Sequence, residues 1–523
     1  MSLQSSTPSH LLRRAQEAIA ADALDEAAAA LQQILDRQSD NAMIAAALAR
    51  IHLKRSDIEA HDVAIAAAIR LAPDADHLKL RAALACPPMM SSVAEIQRLR
   101  GRTMDRLAAL ERESLSIPHP LRDLPTLTYH FVYHGLDDRP LHEAVGRILA
   151  AASPGLRAVA PHTLQPRQPG PIRLGIFSPH LKDHTIGQLF RGTIAKLDDR
   201  FTRATIFCED RVDDAALQIA QTADEIALIP RSLATARAKI AALQLDVLLF
   251  LDVGMDTLTH FLAHARLAHR QCTTWGHPIT TGLSTIDAFL SMDDLEPDGG
   301  APYSEQLITQ PAPHICFTPD IPPSATRAEL GLPVGRLYGC PQALAKLHPD
   351  FDDILIDILD RDRAGTLVLH AGKTQRWKAA LLARLEAKSP GIGRRIHWLT
   401  NMPRTAYIQT LAALSVMLDP TPFGGGNTTL ESLAVGTPVV TLPPRFARGR
   451  IAYALCRRLG WTDGIASSPA EYAEIAVRLA HDPGPASATI RALAPQLFDN
   501  DEGVRQLGDR LAALAASPRH GEA

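Results

Sequence analysis

Two successive series of strand-like runs, each alternating with helical stretches, constrain the fold of this chain more than any other feature. Strands separated by helices of ten or more residues form crossover units, and crossover units build a parallel sheet. The first series therefore predicts a parallel sheet with helices packed on it. Its strand-like runs are IRLGIFS (172–178), RATIFCED (203–210), DEIALIP (224–230) and DVLLFLDVG (246–254).

The alternation begins again after a proline-rich segment, PDIPPSATRAELGLP (319–333). Five further runs predict the strands of a second sheet: RLYGCPQ, GTLVLHAG, RRIHWLT, SVMLDPTPF and TPVVTLPP. Two such units predict an α/β fold with two Rossmann-like lobes. In open parallel sheets the ligand binds beyond the carboxyl ends of the strands, so we expect the site in the cleft between the lobes.

The first 90 residues are predicted to be all-α. Two segments there, LQQILDRQSDNA (31–42) and IAAAIRLAPDAD (65–76), align at an offset of 34 residues, which is the tetratricopeptide period. The offset favours a tetratricopeptide-like stack, with an unrelated helical bundle as the alternative. Two repeats are too few to be stable alone, so we expect this module to pack onto the remainder of the chain.

A linker composition, APHTLQPRQPGP (160–171), separates the helical part from the first sheet. It completes the predicted division of the chain into four units. These are a tetratricopeptide-like module (1–90), a helical connector (91–165), an amino-terminal Rossmann-like lobe (166–320) and a carboxyl-terminal Rossmann-like lobe (321–515).

Composition excludes several classes of protein. The net charge of −3 includes no clustered basic excess of the kind that binds nucleic acid through its phosphates. The six cysteines are scattered without metal-ligand spacing, so we expect reduced thiols and no structural zinc. The amino terminus does not resemble a signal peptide, and no run approaches the ~18 apolar residues of a membrane helix. We therefore expect a soluble, cytoplasmic protein that binds neither nucleic acid nor membrane.

The most informative segment is SVMLDPTPFGGGNTTLESLAVGTPVVTL (415–442), in which a triple glycine lies between a strand and a short helix. Glycines allow close backbone approach, and the free N–H groups of a helix start bind phosphate. The alternative is a flexible loop with a helix cap. The position in a parallel sheet favours a phosphate site, with threonine hydroxyls as added donors and an acidic residue that can reach a ribose. The predicted donor-binding residues here are Gly426, Asn427, Thr428, Thr429 and Glu431.

This segment, with RGRIAYALCRRLG (448–460) after it, resembles the catalytic region of the O-GlcNAc transferase/SPINDLY family, glycosyltransferase family 41. The resemblance extends over about residues 172–480 and is closest to bacterial SPINDLY-like members. It implies a GT-B fold, in which the first lobe faces the acceptor and the second binds a nucleotide-sugar. Three further stretches carry it: IRLGIFSPHLKDHTIGQLFRG (172–192), QCTTWGHPITTGLSTIDAFLSMDDLEP (271–297) and YGCPQALAKLHPDF (338–351).

Lys346 follows the first strand of the second lobe, where we expect a helix to begin, and the resemblance implies that it contacts the pyrophosphate. Its cation would offset the charge on the departing diphosphate, as a metal does in other transferases. Gln342 is a further expected donor to the diphosphate or sugar. No Asp-x-Asp motif stands in a convincing metal-binding context, so we expect no metal and no cofactor beyond the nucleotide-sugar, with a UDP-sugar favoured.

His184, in the loop after the first strand, is expected in the active site. It could donate to the sugar or diphosphate, or act as the base on the acceptor. The resemblance also implies that His277, Thr280 and Thr281 line a wall for sugar and acceptor. Relatives often carry Tyr at the position of His277, so its role is left open.

Arg404 and Tyr407, in NMPRTAYIQTLA, match family positions that pack around the nucleoside. Tyr407 could stack on the base and Arg404 could reach the phosphates. The alternative is an ordinary helix start with a core tyrosine.

Together these features predict an inverting, metal-independent transfer of GlcNAc or another hexose to Ser, Thr or Asn of a protein acceptor. The family suggests flagellin or an adhesin, recruited by the amino-terminal helices. Asn427 stands where many O-GlcNAc transferases have His, and the SPINDLY branch uses GDP-fucose, so the sugar is left open. Homo-oligomerisation and the identity of the base are also open. The alternative is a non-catalytic scaffold that senses a nucleotide-sugar and recruits partners through its helices.

Overall fold

The computed structural model describes residues 7–517 except 126 and 373, and it begins with helices. The first four form two hairpins. The second hairpin starts 34 residues after the first, at Ala42 instead of Pro8, which is the predicted tetratricopeptide period. Small apolar side chains give them a separate core extending to Leu78. The helices of this part are α1 (Pro8–Ala20), α2 (Leu24–Arg37), α3 (Ala42–Lys54), α4 (Ile58–Leu71), α5 (Asp76–Ala83), α6 (Val93–Leu110), α7 (Pro120–Asp123) and α8 (Arg139–Ala152).

The amino-terminal lobe is a seven-stranded parallel sheet in the order β3-β2-β1-β4-β5-β6-β7. The four strands predicted from the first series are β1 to β4. Strand β6 lies within the family-like stretch 271–297, whereas β5 and β7 were not predicted. The elements are β1 (Ile172–Phe177), α9 (Thr185–Lys196), β2 (Phe201–Cys208), α10 (Asp214–Ala220), β3 (Glu225–Ile229), α11 (Leu233–Ala242), β4 (Leu245–Phe250), α12 (Thr257–Ala263), β5 (Ala268–Thr274), β6 (Ala288–Met292) and β7 (Gln306–Gln310).

The carboxyl-terminal lobe is a five-stranded parallel sheet in the order β10-β9-β8-β11-β12, and all five strands were predicted. Its central strands β8 and β11 bring the segments around Lys346 and the triple glycine to the same edge. The elements are β8 (Leu337–Cys340), α13 (Phe351–Arg361), β9 (Thr366–His370), α14 (Gln375–Lys388), β10 (Ile396–Leu399), α15 (Arg404–Ala413), β11 (Val416–Leu418), α16 (Asn427–Ala434), β12 (Val439–Val440), α17 (Ile451–Leu459), α18 (Pro469–His481), α19 (Pro483–Leu493) and α20 (Asp501–Ala516).

The last helix returns to the first lobe. Gln310 at the end of β7 donates to the carbonyl of Gly503 at 2.9 Å, and Lys196 on α9 pairs with Asp501 at 2.7 Å. The lobe boundaries drawn from the sequence placed α20 with the second sheet. Its packing against the first sheet instead ties the end of the chain to the opposite side of the cleft.

The helical connector is anchored to both lobes. Phe261 of α12 contributes to the connector's hydrophobic core. From the second lobe, Arg448 is buried, pairs with Asp138 at 3.3 Å and donates to the carbonyl of Leu136 at 2.6 Å. A buried, multiply bonded arginine fixes geometry because leaving its partner unpaired would be costly. The connector is therefore attached to both lobes and fixes their relative position.

Candidate active site between the two lobes

The glycine loop that follows β11 is held by a buried carboxyl group. Asp419 accepts hydrogen bonds from the Gly425 amide at 2.6 Å and from the Thr441 hydroxyl at 2.8 Å. Burial raises the pKa of Asp419 to about 7. A Cβ on Gly425 would come within 2.6 Å of Gln342 Nε2, so a larger residue here would displace the Gln342 side chain. The loop is thus rigidly placed beside the end of β8.

The loop leads directly into α16, whose N-cap is Gly426 and therefore has no side chain to cap the helix. The first amide groups of a helix have no partner within it, and together with the helix dipole they attract anions. Thr428 and Thr429 lie in the first turn. The Thr429 hydroxyl donates to the Gly425 carbonyl at 2.9 Å, and the Thr428 hydroxyl lies 3.3 Å from the Tyr407 hydroxyl. The structure thus has the uncapped helix start on which the phosphate-site prediction rests, and phosphate binding there stays a prediction.

Lys346 reaches this seat. Its Nζ donates to the Gly424 carbonyl at 3.0 Å and to Gln342 Oε1 at 2.9 Å, and it lies 5.0 Å from the Phe423 ring centre. Burial lowers its pKa to about 8. One local expectation was wrong. Lys346 lies in a 3-10 turn rather than at the start of a helix, because α13 begins only at Phe351.

The first turns of α15 and α16 are joined by an ion pair. Arg404 contacts the Glu431 carboxylate at 2.7 Å, and the Asn427 side-chain amide donates to the same oxygen at 2.8 Å. Glu431 is only 2% exposed, and burial raises its pKa. Burial likewise raises the pKa of Tyr407. Arg404, Tyr407 and Glu431 therefore lie together at the start of α16. The Glu431 carboxylate is already bonded to Arg404 and Asn427.

On the opposite side, His184 is the N-cap of α9. Its Nδ1 accepts from the Ile186 amide at 3.3 Å, and its ring stacks on His180 with centroids 4.3 Å apart. Burial lowers the pKa of His180 to about 4. Gln188, one turn beyond His184, accepts from the Asn427 amide at 3.5 Å. The starts of α9 and α16 therefore face each other, and sequence reasoning missed Gln188 although it lies four residues from His184 on the same helix face.

The other predicted first-lobe residues have internal partners. His277 is buried, stacks on Tyr129 with ring centres 6.2 Å apart, and burial lowers its pKa to about 3. Thr280 donates to the Glu305 carboxylate at 2.7 Å, and the Thr281 amide donates to it at 2.6 Å. Thr280 and Thr281 are thus hydrogen-bonded to Glu305 and not to the residues around Lys346 and the start of α16.

The connector adds an aromatic wall that the sequence did not predict. Tyr133 packs against Phe423 with ring centres 5.0 Å apart, and its hydroxyl donates to that of Tyr129 at 3.2 Å. Since Phe423 also lies under the Lys346 ammonium, the connector shields that cation from water. Such shielding strengthens its interaction with an anion.

Two further features, a metal cluster and a membrane-spanning helix, have no counterpart among the described residues. No group of three or more His, Cys, Asp or Glu side chains in this part of the chain is placed to hold a metal ion. Within the same ranges, no helix combines the length and apolar character needed to cross a bilayer.

Known proteins share this fold and part of this sequence. Residues 318–496 match the model of Glycosyl transferase family 41. The O-GlcNAc transferase of Thermobaculum terrenum, solved in a mutant form, superposes with a TM-score of 0.71 at 22% identity over 98% of both chains. The fold is therefore that of the two-lobed GT-B glycosyltransferases, preceded by a helical region. Residues 318–496 are thus similar to glycosyltransferase family 41, and the whole chain shares the fold of an O-GlcNAc transferase.

Two relatives illustrate the range of the family. One is the probable UDP-N-acetylglucosamine–peptide N-acetylglucosaminyltransferase SPINDLY of Petunia hybrida, 28% identical over 244 residues. The other is the UDP-glucose:protein N-beta-glucosyltransferase of Actinobacillus pleuropneumoniae, 28% identical over 235 residues. Each match covers 44% of this chain, but only 26% of the first relative and 37% of the second. The matched part thus spans well under half the length of either relative.

Proposed function

We propose that this chain transfers a sugar from a nucleotide-sugar to a side chain of a protein acceptor, with inversion and without a metal ion. One observation carries the proposal: the Lys346 ammonium lies 3.0 Å from the Gly424 carbonyl, beside the uncapped start of α16. A cation and a helix start at one point form a seat for a diphosphate.

In the proposed reaction the acceptor oxygen or nitrogen attacks the anomeric carbon from the face opposite the diphosphate. The bond from that carbon to the diphosphate oxygen breaks, the nucleoside diphosphate leaves with the bonding electrons, and the acceptor proton passes to water. Lys346 and the amides of α16 stabilise the charge that accumulates on the leaving group. Holding both reactants in one cleft supplies a further part of the rate.

We assign His184 the role of a hydrogen-bond donor. Its Nδ1 accepts from the Ile186 amide, so a neutral ring must carry its proton on Nε2. In that tautomer Nε2 donates and cannot take a proton. This supports contact with a sugar or diphosphate oxygen over service as the base, the other role that the sequence left open.

For the donor we propose a UDP-sugar, because both relatives above carry UDP-sugar in their names. Their names also specify a peptide or protein acceptor. We extend this to Ser, Thr or Asn of a protein such as flagellin or an adhesin. We further propose that the amino-terminal hairpins recruit that acceptor.

Donor hydrolysis and intact-mass analysis test the proposal. The purified chain is incubated with UDP-N-acetylglucosamine, UDP-glucose or GDP-fucose, with and without a lysate, and release of UDP or GDP is measured. Candidate acceptors co-expressed with the chain are then weighed, since the added mass identifies the sugar. Nucleotide binding without release from any donor would favour the alternative, a non-catalytic scaffold that senses nucleotide-sugars.

A further inference from the structure

A side-chain hydrogen bond spans the cleft between the two helix starts. Asn427, the first residue of α16, donates through Nδ2 to Gln188 Oε1 on α9 at 3.5 Å. The Gln188 amide is held in turn, because its Nε2 donates to Asp183 Oδ1 at 3.1 Å. A contact of 3.5 Å is long for a hydrogen bond, so a better partner can displace it. The two amides therefore form a weak bridge that a ligand can open.

Two buried polar atoms beside this bridge have no hydrogen-bond partner among the described residues. They are Asn427 Oδ1 and Gln342 Nε2. Buried polar groups are nearly always paired in native proteins, so orphaned ones call for an explanation. Asn427 faces Gln188 of the first lobe, and Gln342 contacts Lys346, so one unpaired acceptor and one unpaired donor border the diphosphate seat. Such an arrangement is expected where a polar ligand binds.

The position of the seat decides which part of a donor would meet these atoms. With the diphosphate between Lys346 and the start of α16, the nucleoside would lie towards Arg404 and Tyr407 on α15. The sugar, on the other phosphate, would lie on the first-lobe side, where Gln188 and Asn427 face each other.

We propose that Gln188 is a sugar-recognition residue: its amide, with that of Asn427, exchanges the bridge across the cleft for hydrogen bonds to hydroxyls of the donor sugar. This inference rests on the proposed function. A primary amide both donates and accepts, which matches the hydroxyls of a hexose. A site that hydrogen-bonds a substrate hydroxyl discriminates strongly against sugars that lack it.

Calorimetric titration of the full chain with UDP, UDP-glucose and UDP-N-acetylglucosamine tests the inference. For Gln188→Ala we expect an unchanged Kd for UDP and a Kd about fivefold to tenfold weaker for at least one UDP-sugar, the effect of one lost hydrogen bond. Gln33→Ala, on the exposed face of α2, is the matched control and should bind all three ligands as the wild type does.

The outcomes separate this inference from the proposed function. Equal weakening of UDP and both UDP-sugars, or no change for any of them, would overturn the role of Gln188 while leaving the nucleotide site intact. A wild-type chain that binds none of the three ligands would instead overturn the UDP site itself. A changed preference between the two UDP-sugars would support the inference, because a residue in contact with the sugar alters that ratio.

Discussion

Lys346 Nζ and the carbonyl oxygen of Gly424 lie 3.0 Å apart although 78 residues separate them in the chain. The contact joins the ends of β8 and β11, which are neighbours in the second sheet. It holds a cation next to a glycine loop before any ligand arrives. A preorganised cation does not need to move when charge develops on a leaving group, which is why such contacts are effective in catalysis.

Replacement of Lys346 by Ala should abolish transfer without unfolding the protein. We expect donor turnover to fall by about a hundredfold or more, the scale of losing one preorganised electrostatic contact. Turnover is measured as UDP release, with the melting temperature as a check on folding. Lys54→Ala, at the exposed end of α3, is the matched control. Wild-type turnover in Lys346→Ala would disprove the diphosphate site.

The affinity for UDP should fall as the pH rises past about 8. Burial lowers the pKa of Lys346 from its ordinary 10.5 to about 8, so the free protein loses this cation above that pH. A bound diphosphate favours the charged form, and binding must then take up a proton. By linkage the affinity falls by at most about tenfold per pH unit above 8. The UDP phosphates are fully ionised throughout this range, as phosphate monoesters titrate near 6.

Calorimetric Kd values between pH 7 and 9.5 check this dependence. Lys346→Arg provides the comparison because a guanidinium keeps its charge throughout the range. Its affinity, whatever its absolute value, should not show the decline above pH 8. A wild-type affinity that stayed constant to pH 9.5 would mean either that Lys346 keeps its charge throughout this range or that it does not contact the diphosphate.

Asp419 should support UDP binding through the hydrogen bonds that its side chain accepts, more than through its negative charge. Since its pKa is raised to about 7, much of it is neutral near neutral pH, yet both oxygens accept hydrogen bonds. Asp419→Asn keeps an acceptor for Gly425 and should bind UDP within about threefold of wild type. Asp419→Ala leaves buried donors unpaired and should weaken UDP binding about tenfold or more and lower the melting temperature. Equal effects of the two variants would show that the charge is what matters.

Most elements of the second lobe could be predicted because their signals are local. Strand runs, the triple glycine and the following Asn-Thr-Thr all lie within a few residues of one another, and so does the helix start they create. The family resemblance assigned Lys346 to the pyrophosphate, and its place beside this loop agrees with the rule that parallel strands end at a common edge. That rule places residues without any knowledge of side-chain packing.

The remaining features depend on packing between distant segments. Glu305 accepts hydrogen bonds from Thr280 and Thr281, which are 25 and 24 residues away in the chain. The bridge between Gln188 and Asn427 joins residues 239 positions apart. The return of α20 to the first sheet follows from tertiary contacts as well. No periodicity or local motif records such contacts, so a single sequence could name the threonines but not their partner.

Substitutions of Arg404 and Glu431 should have strongly non-additive effects on the free energy of unfolding. Arg404 is 43% exposed but the Glu431 side chain is only 2% exposed, so Arg404→Ala leaves a buried carboxylate with Asn427 as its remaining partner. We expect a loss of about 1–3 kcal/mol in the free energy of unfolding, discounted for the exposure of the arginine.

Adding Glu431→Gln to Arg404→Ala removes the unpaired charge and should recover most of that loss. Urea denaturation of the two single variants and the double variant measures the coupling. Losses that simply add in the double variant would mean that the pair does not stabilise the start of α16.

Removal of the first two hairpins should reduce acceptor modification more than donor hydrolysis. These hairpins have their own hydrophobic core, whereas Met89 and Met90 already belong to the cores of the lobes and the connector. A deletion of residues 1–72 ends before α5, which keeps Leu78 from the edge of the hairpin core, and it removes the partly exposed pairs of Asp62 with Arg102 and Arg106 and the exposed pair of Asp25 with Arg376. Exposed pairs contribute little stability, so the remaining chain should fold and bind UDP.

UDP release and acceptor mass, measured on the same preparations, give the rates of donor hydrolysis and of acceptor modification. If both fell by the same factor, the hairpins would serve to support the lobes and not to recruit a protein.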